Sequence, residues 1–72
     1  MTTYFPLPIA KSKLNQRVRA TLPLADINIG DTGIVVSYYK MGKDYGITVK
    51  WDHMNVTDGF SKSDYEKFLE EI

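Results

Sequence analysis

Two runs decide the fold class: Gly30-Asp31-Thr32-Gly33-Ile34-Val35-Val36-Ser37-Tyr38-Tyr39 and Ile47-Thr48-Val49-Lys50-Trp51-Asp52, joined by Lys40-Met41-Gly42-Lys43-Asp44-Tyr45-Gly46. Successive side chains of a β-strand point to opposite faces, so period-two hydrophobicity marks a half-buried strand. The second run alternates Ile47, Val49 and Trp51 with Thr48, Lys50 and Asp52, and the first set faces a core. The first run opens with a Gly-Asp-Thr-Gly turn. It places Ile34, Val36 and Tyr38 on one face and Val35, Ser37 and Tyr39 on the other. Seven residues separate Tyr39 from Ile47, too many for a two-residue hairpin, so a flexible loop with two glycines is expected between the strands.

Working upstream, Leu14, Gln16, Val18, Ala20, Leu22 and Leu24 alternate with Asn15, Arg17, Arg19 and Thr21, as on a strand with a basic outer face that ends near Pro23. Asp26 to Gly33 has loop chemistry, with Ile27 and Ile29 placed to plug one end of the core. Residues 1–13 lack periodicity. Pro6 and Pro8 disfavour helix and favour an extended path, so Tyr4-Phe5-Pro6-Leu7-Pro8-Ile9 reads as an arm that covers one end of the core or presents itself to a partner. Downstream, Asp58-Gly59 marks a turn, and Ser63-Asp64-Tyr65-Glu66 has the spacing of a capping box. Tyr65, Phe68, Leu69 and Ile72 recur at helical spacing. Two readings compete for this tail: a helix to Ile72, or one helical turn at 63–67 followed by a closing strand, Phe68 to Ile72, beside Val18. Closure of a barrel favours the second.

The chain has 72 residues, no cysteine, 43% hydrophobic and 12% aromatic content, and zero formal charge. That is one small folded domain with no disulfide or thiolate–metal site. No basic segment leads into a long apolar run, and no stretch approaches the roughly 20 residues of a membrane span. A soluble, cytoplasmic chain is expected. The charge is segregated. Residues 1–24 carry Lys11, Lys13, Arg17 and Arg19 with no acid, whereas residues 51–72 carry Asp52, Asp58, Asp64, Glu66, Glu70 and Glu71 against Lys62 and Lys67. The simplest account is that the two ends pair and neutralise each other.

The Gly30–Val36 run and the Ile47–Asp52 run resemble the central strands of small SH3-like barrels. They are similar to photosystem I reaction-centre subunit IV, to KOW-type modules, and to the domain of Mind-bomb-type ubiquitin ligases; Phe60 to Ile72 is similar to the helical turn and closing strand of such barrels. The resemblance implies an all-β fold: a five-stranded antiparallel SH3-like barrel (residues 14–72) with a short C-terminal helical turn. The extended N-terminal arm (residues 1–13), read from its prolines, precedes the barrel and has no counterpart in these families. Its motifs are turn glycines and core positions, so they speak to fold and not to function.

The material for catalysis is thin. His53 is the sole histidine, and no spaced ligand cluster accompanies it. There is no cysteine nucleophile, Asp52 and Asp58 serve better as turn residues than as an acid–base pair, and Gly30-x-x-Gly33 lacks the features of a phosphate loop. No catalytic residue, metal or cofactor is expected. The partner-facing candidates are Tyr4, Phe5 and Leu7 of the arm and Tyr39, Lys40, Lys43 and Tyr45 of the loop. Tyrosines interleaved with lysines suit protein contacts and also stacking on single-stranded nucleic acid with phosphate pairing, in which Lys50 would join. Zero net charge disfavours the latter. The sequence therefore points to a non-catalytic protein-binding module, an accessory subunit or small inhibitor docking on a larger protein complex. A single-stranded nucleic-acid-binding barrel is the alternative.

Overall fold

In the computed structural model, which describes residues 3–72, the alternation of Ile47, Val49 and Trp51 with Thr48 and Lys50 forms strand β3 (Asp44–Trp51), and all three apolar residues are buried. In chain order the elements are α1 (Leu7–Ser12), β1 (Arg17–Ala20), β2 (Thr32–Met41), β3, β4 (Thr57–Phe60), α2 (Lys62–Phe68) and β5 (Leu69–Glu71). The five strands form one antiparallel sheet in the order β4-β3-β2-β1-β5. The fold is thus mostly β with two short helices, and the sheet stays open between β4 and β5. Trp51, at the end of β3, is buried and packs edge-to-face on Phe60. Burying an indole contributes about 4–6 kcal/mol as an upper bound, and its Nε1–H donates to Asp58 Oδ2 at 2.7 Å.

β2 departs from strict alternation. Val35 pairs with Val49 and Ser37 with Thr48, so Val36 is an extra residue bulged out of the ladder. One added residue reverses the faces of the positions beyond it. Val35 is therefore core and Val36 is 45% exposed, opposite to the expected faces, while Tyr38 regains the core side beyond the bulge. Gly33 pairs with both Val18 and Trp51, and a Cβ there would lie 2.7 Å from the Lys50 carbonyl oxygen. The expected loop between β2 and β3 is absent. The strands pair out to Met41↔Asp44 and turn through Gly42 and Lys43 alone. Gly42 has φ +62 at the first central position, where a two-residue hairpin of type II′ demands glycine.

The strand expected over 14–24 is cut to Arg17–Ala20. Asn15 occupies the left-handed region (φ 70), which asparagine tolerates, and donates its N–H to the Val35 carbonyl. Past β1 the chain leaves the ladder, and Leu24 and Ile27 exchange two backbone bonds across Ala25 and Asp26. Ile27 is buried as expected, whereas Ile29 is 65% exposed. Asp58-Gly59 lies inside β4 and makes no turn. In the tail, a short helix followed by a strand is present. The cap is Ser61, not Ser63: Ser61 Oγ accepts from the Asp64 N–H at 3.1 Å. The helix passes straight into β5, which pairs with β1 through Val18↔Glu71.

The expected extended arm is a helix in its second half. Pro6 is the N-cap and Pro8 sits in the first turn of α1, where the missing N–H has no intrahelical partner to lose. Phe5 and Ala10 belong to the core. Met1 and Thr2, also part of the predicted arm, lie outside the described residues. No helix among the described residues is long and apolar enough to cross a membrane.

The segregated charges pair across the sheet. Arg19 Nε donates to Glu70 Oε1 at 2.6 Å, and Lys13 Nζ to Glu71 Oε2 at 2.6 Å. Arg17 forms a two-pronged pair with Asp52, which also accepts from Thr32 Oγ1. Arg17 and then Thr32 hold the Asp52 carboxyl well below the usual range, and Lys13 and Tyr65 lower that of Glu71. Carboxylates depressed in the folded state add stability that is present above their unfolded value of about 4 and is lost as pH falls. Thermal midpoints measured downward from about pH 6 should therefore drop steeply on the acid side, and less steeply in Asp52→Asn/Glu71→Gln. Parallel curves for the two proteins would contradict this assignment.

Candidate functional site

The residues expected to face a partner mostly face one another. Phe5 and Tyr45 exchange two backbone hydrogen bonds, Phe5 N–H to Tyr45 O at 2.7 Å and Tyr45 N–H to Phe5 O at 2.8 Å. Phe5 is buried edge-to-face on Tyr65, with ring centroids 5.6 Å apart. Tyr45 packs the same way on Tyr38, at 5.8 Å. The arm's partner is the hairpin. Leu7 begins α1 and is half-buried. Lys40 and Lys43 stay exposed, the former across from Tyr45 and the latter at the hairpin tip.

Tyr39 points away from the core, as its parity predicts, yet its ring is also engaged. It pairs with Gly46 and lies across both Gly46 and Gly59, which face it from β3 and β4. A Cβ on Gly46 would overlap the ring, and one on Gly59 would come within 3.0 Å of the hydroxyl. Covering strand glycines with a cross-strand aromatic restores packing that the missing side chains leave out. Burial pushes the Tyr39 hydroxyl up from its ordinary value, and nearby Tyr4 and Asp64 add to that shift. Tyr4, just ahead of the Phe5–Tyr45 bridge, is half-buried.

Elsewhere the polar side chains hold structure. His53 Nε2 lies 3.4 Å from Asp31 Oδ2 at the surface, and Asp31 also accepts the Asn28 N–H. Asp52 and Asp58 do not meet: the former is bound to Arg17 and the latter to Trp51. Among the described residues no three His, Asp or Glu side chains converge as a metal site would require.

The described residues leave a concave region unfilled. Where the sheet stays open, a cleft of about 200 Å³ lies between Leu24 and Ala25 of the Leu24–Ile27 turn, Asp58 to Phe60 of β4, and Asp64 and Phe68 of α2. A second cleft of similar volume continues from it past Asp26, Ile27, Met54 and Val56, sharing Ala25 and Asp58. The rim between them is held by a residue in an unfavourable conformation. Ala25 has φ 43, which costs a non-glycine residue about 1–2 kcal/mol. Neither cleft is lined by a lysine, arginine or histidine, whereas Asp26, Asp58 and Asp64 all line them. Such a surface can hold an apolar side chain and a cation together. Sequence reasoning assigns these residues to turns, caps and core. The one signal pointing here is the excess of acid after Trp51, interleaved with Phe60 and Phe68.

No protein-family model matches this chain, and no curated protein or solved structure is significantly similar to it. Its own residues must carry the functional reading. If Tyr39 serves packing, Gly46→Ala should expel the ring and lower stability by about 1–3 kcal/mol, read as the denaturant midpoint, with greater exposure of Tyr39 to iodination. An unchanged midpoint would show that the ring is not held there.

Proposed function

We propose that this chain is a non-catalytic protein-binding module, an accessory subunit or small inhibitor that docks on a larger protein complex. The observation that carries the reading is the pair of connected clefts at the open side of the sheet. They combine apolar walls from Leu24, Phe60 and Phe68 with three carboxylates, and no side chain among the described residues fills them. A pocket with apolar walls and a few convergent polar groups is what a peptide or protein side chain enters. An SH3-like barrel is the scaffold in this reading: the order β4-β3-β2-β1-β5, with α2 leading directly from β4 into β5, supports it. The setting is cytoplasmic, which the cysteine-free composition fits.

Single-stranded nucleic acid carries less weight. Tyr45 is packed on Tyr38, one face of Tyr39 is laid on glycines, and the concave surface bears carboxylates that repel phosphate. The test is capture from native lysate by the immobilised chain, with and without nuclease, beside the charge-reversed Asp26→Lys/Asp64→Lys variant. A partner protein should be retained after nuclease and released by the variant. Capture of nucleic acid alone, or of no protein, would overturn the reading.

A further inference from the structure

We propose that the partner segment is an extended basic peptide that adds to the free edge of β4 as a further strand and lays alternate side chains into the two clefts. This rests on the protein-binding reading above and specifies its site and chemistry. β4 ends the sheet. The Trp51 N–H bonds to the Val56 carbonyl, and the ladder continues in register through Val49↔Asp58 and Ile47↔Phe60. In an antiparallel pair the residues bonded to the partner strand alternate with residues whose N–H and C=O point the other way. Here Asp58 and Phe60 bond to β3, and Thr57 and Gly59 turn their backbone groups outward. Both are exposed, and no backbone or side-chain bond among the described residues takes those groups. An unpaired strand edge is a template for strand addition, and natural edges are usually covered, bulged or studded with lysine. This one has no lysine, and a cleft runs beside it.

The register also states what the incoming strand carries. Residues opposite Thr57 and Gly59 exchange backbone bonds, whereas residues opposite Asp58 and Phe60 direct side chains to the cleft side of the sheet. Phe60 with Leu24 and Phe68 accepts an apolar side chain. Asp58 has one carboxyl oxygen left after Trp51 takes the other, and Asp26 and Asp64 flank it. A lysine or arginine is therefore called for two residues from the apolar one. Charge complementarity selects this occupant over an acidic segment, since no cation lines either cleft.

The test titrates 15N-labelled protein with the synthetic heptapeptide Lys-Thr-Ile-Thr-Lys-Thr-Ile, blocked at both ends, and with its counterpart bearing Glu in place of Lys. The basic peptide should shift the Thr57 and Gly59 amides with saturation below about 1 mM, and the acidic one should leave them in place. Thr57→Pro removes an outward N–H at the first position of the strand, where proline is tolerated, and should weaken binding about tenfold. Asp26→Lys/Asp64→Lys should abolish it; amide spectra of both variants verify that they are folded. No shift at Thr57 and Gly59, or equal binding of the acidic peptide, overturns the proposal. So does a dimer in sedimentation that Thr57→Pro dissociates, because the edge then serves a second copy. If lysate capture yields a partner that Thr57→Pro does not weaken, the module reading stands and the β4 edge is excluded as its site.

Discussion

Everything in this fold passes under the indole of Trp51 at Gly33. There β2 pairs on one side with Val18 of β1 and on the other with Trp51 of β3, and the space a Cβ would take is filled by the Lys50 carbonyl and the Val49 side chain. A small sheet can enclose a core only by coiling tightly. Close approach at a glycine and an extra residue at Val36 are the two devices that provide the coil. Once β2 bends there, its far half faces β3 and β4, its near half faces β1 and β5, and the indole closes the space between. Asp58 holds the indole from the other side, so the residue that anchors the core also rims the open cleft. Structure and candidate function meet in that carboxylate.

Much of the fold is legible from residue order. β3 reads correctly because no bulge interrupts Ile47, Val49 and Trp51. The tail reads as helix then strand because a serine cap precedes Tyr65 and Phe68, although Ser61 takes the role that the Ser63–Glu66 spacing suggests. The basic start and acidic end announce their pairing. β2 resists because Ile34-Val35-Val36 is apolar in either phase, so only the three-dimensional ladder reveals where the extra residue sits. Proline at the head of α1 looks like a breaker until the first turn is seen to begin there. The tight hairpin hides because Met41-Gly42-Lys43-Asp44 lacks the Asn-Gly pair that usually announces one.

The candidate site is less legible, for a physical reason. Tyr39 is outward by parity, but the glycines that receive its ring are Gly46 on the facing strand and Gly59 on the next, and nothing local marks them as a pair. Phe5 and Tyr45 look equally available until their backbones are found bonded to each other. The clefts draw on the Leu24–Ile27 turn, β4 and α2, three segments that alternation and capping describe without placing them side by side. Side chains that a sequence offers as sticky are often already satisfied, and the surface left wanting a partner is assembled from residues that look ordinary one at a time.

The pairing of β1 with β5 bears on the order in which the chain comes together. Arg19 and Glu70 lie 51 positions apart, whereas β2 and β3 meet across two residues. Hairpins close in microseconds, while ladders between distant segments wait on a costly loop closure. The central hairpin is therefore the natural nucleus, and β1–β5 is the late event. Segregating cations in the first third and anions in the last gives the unfolded ends opposite fields, felt once they approach to within about 8 Å in physiological salt. The Lys13–Glu71 and Arg19–Glu70 pairs then serve as more than surface ornaments of the finished sheet: they favour the meeting of its two most distant segments.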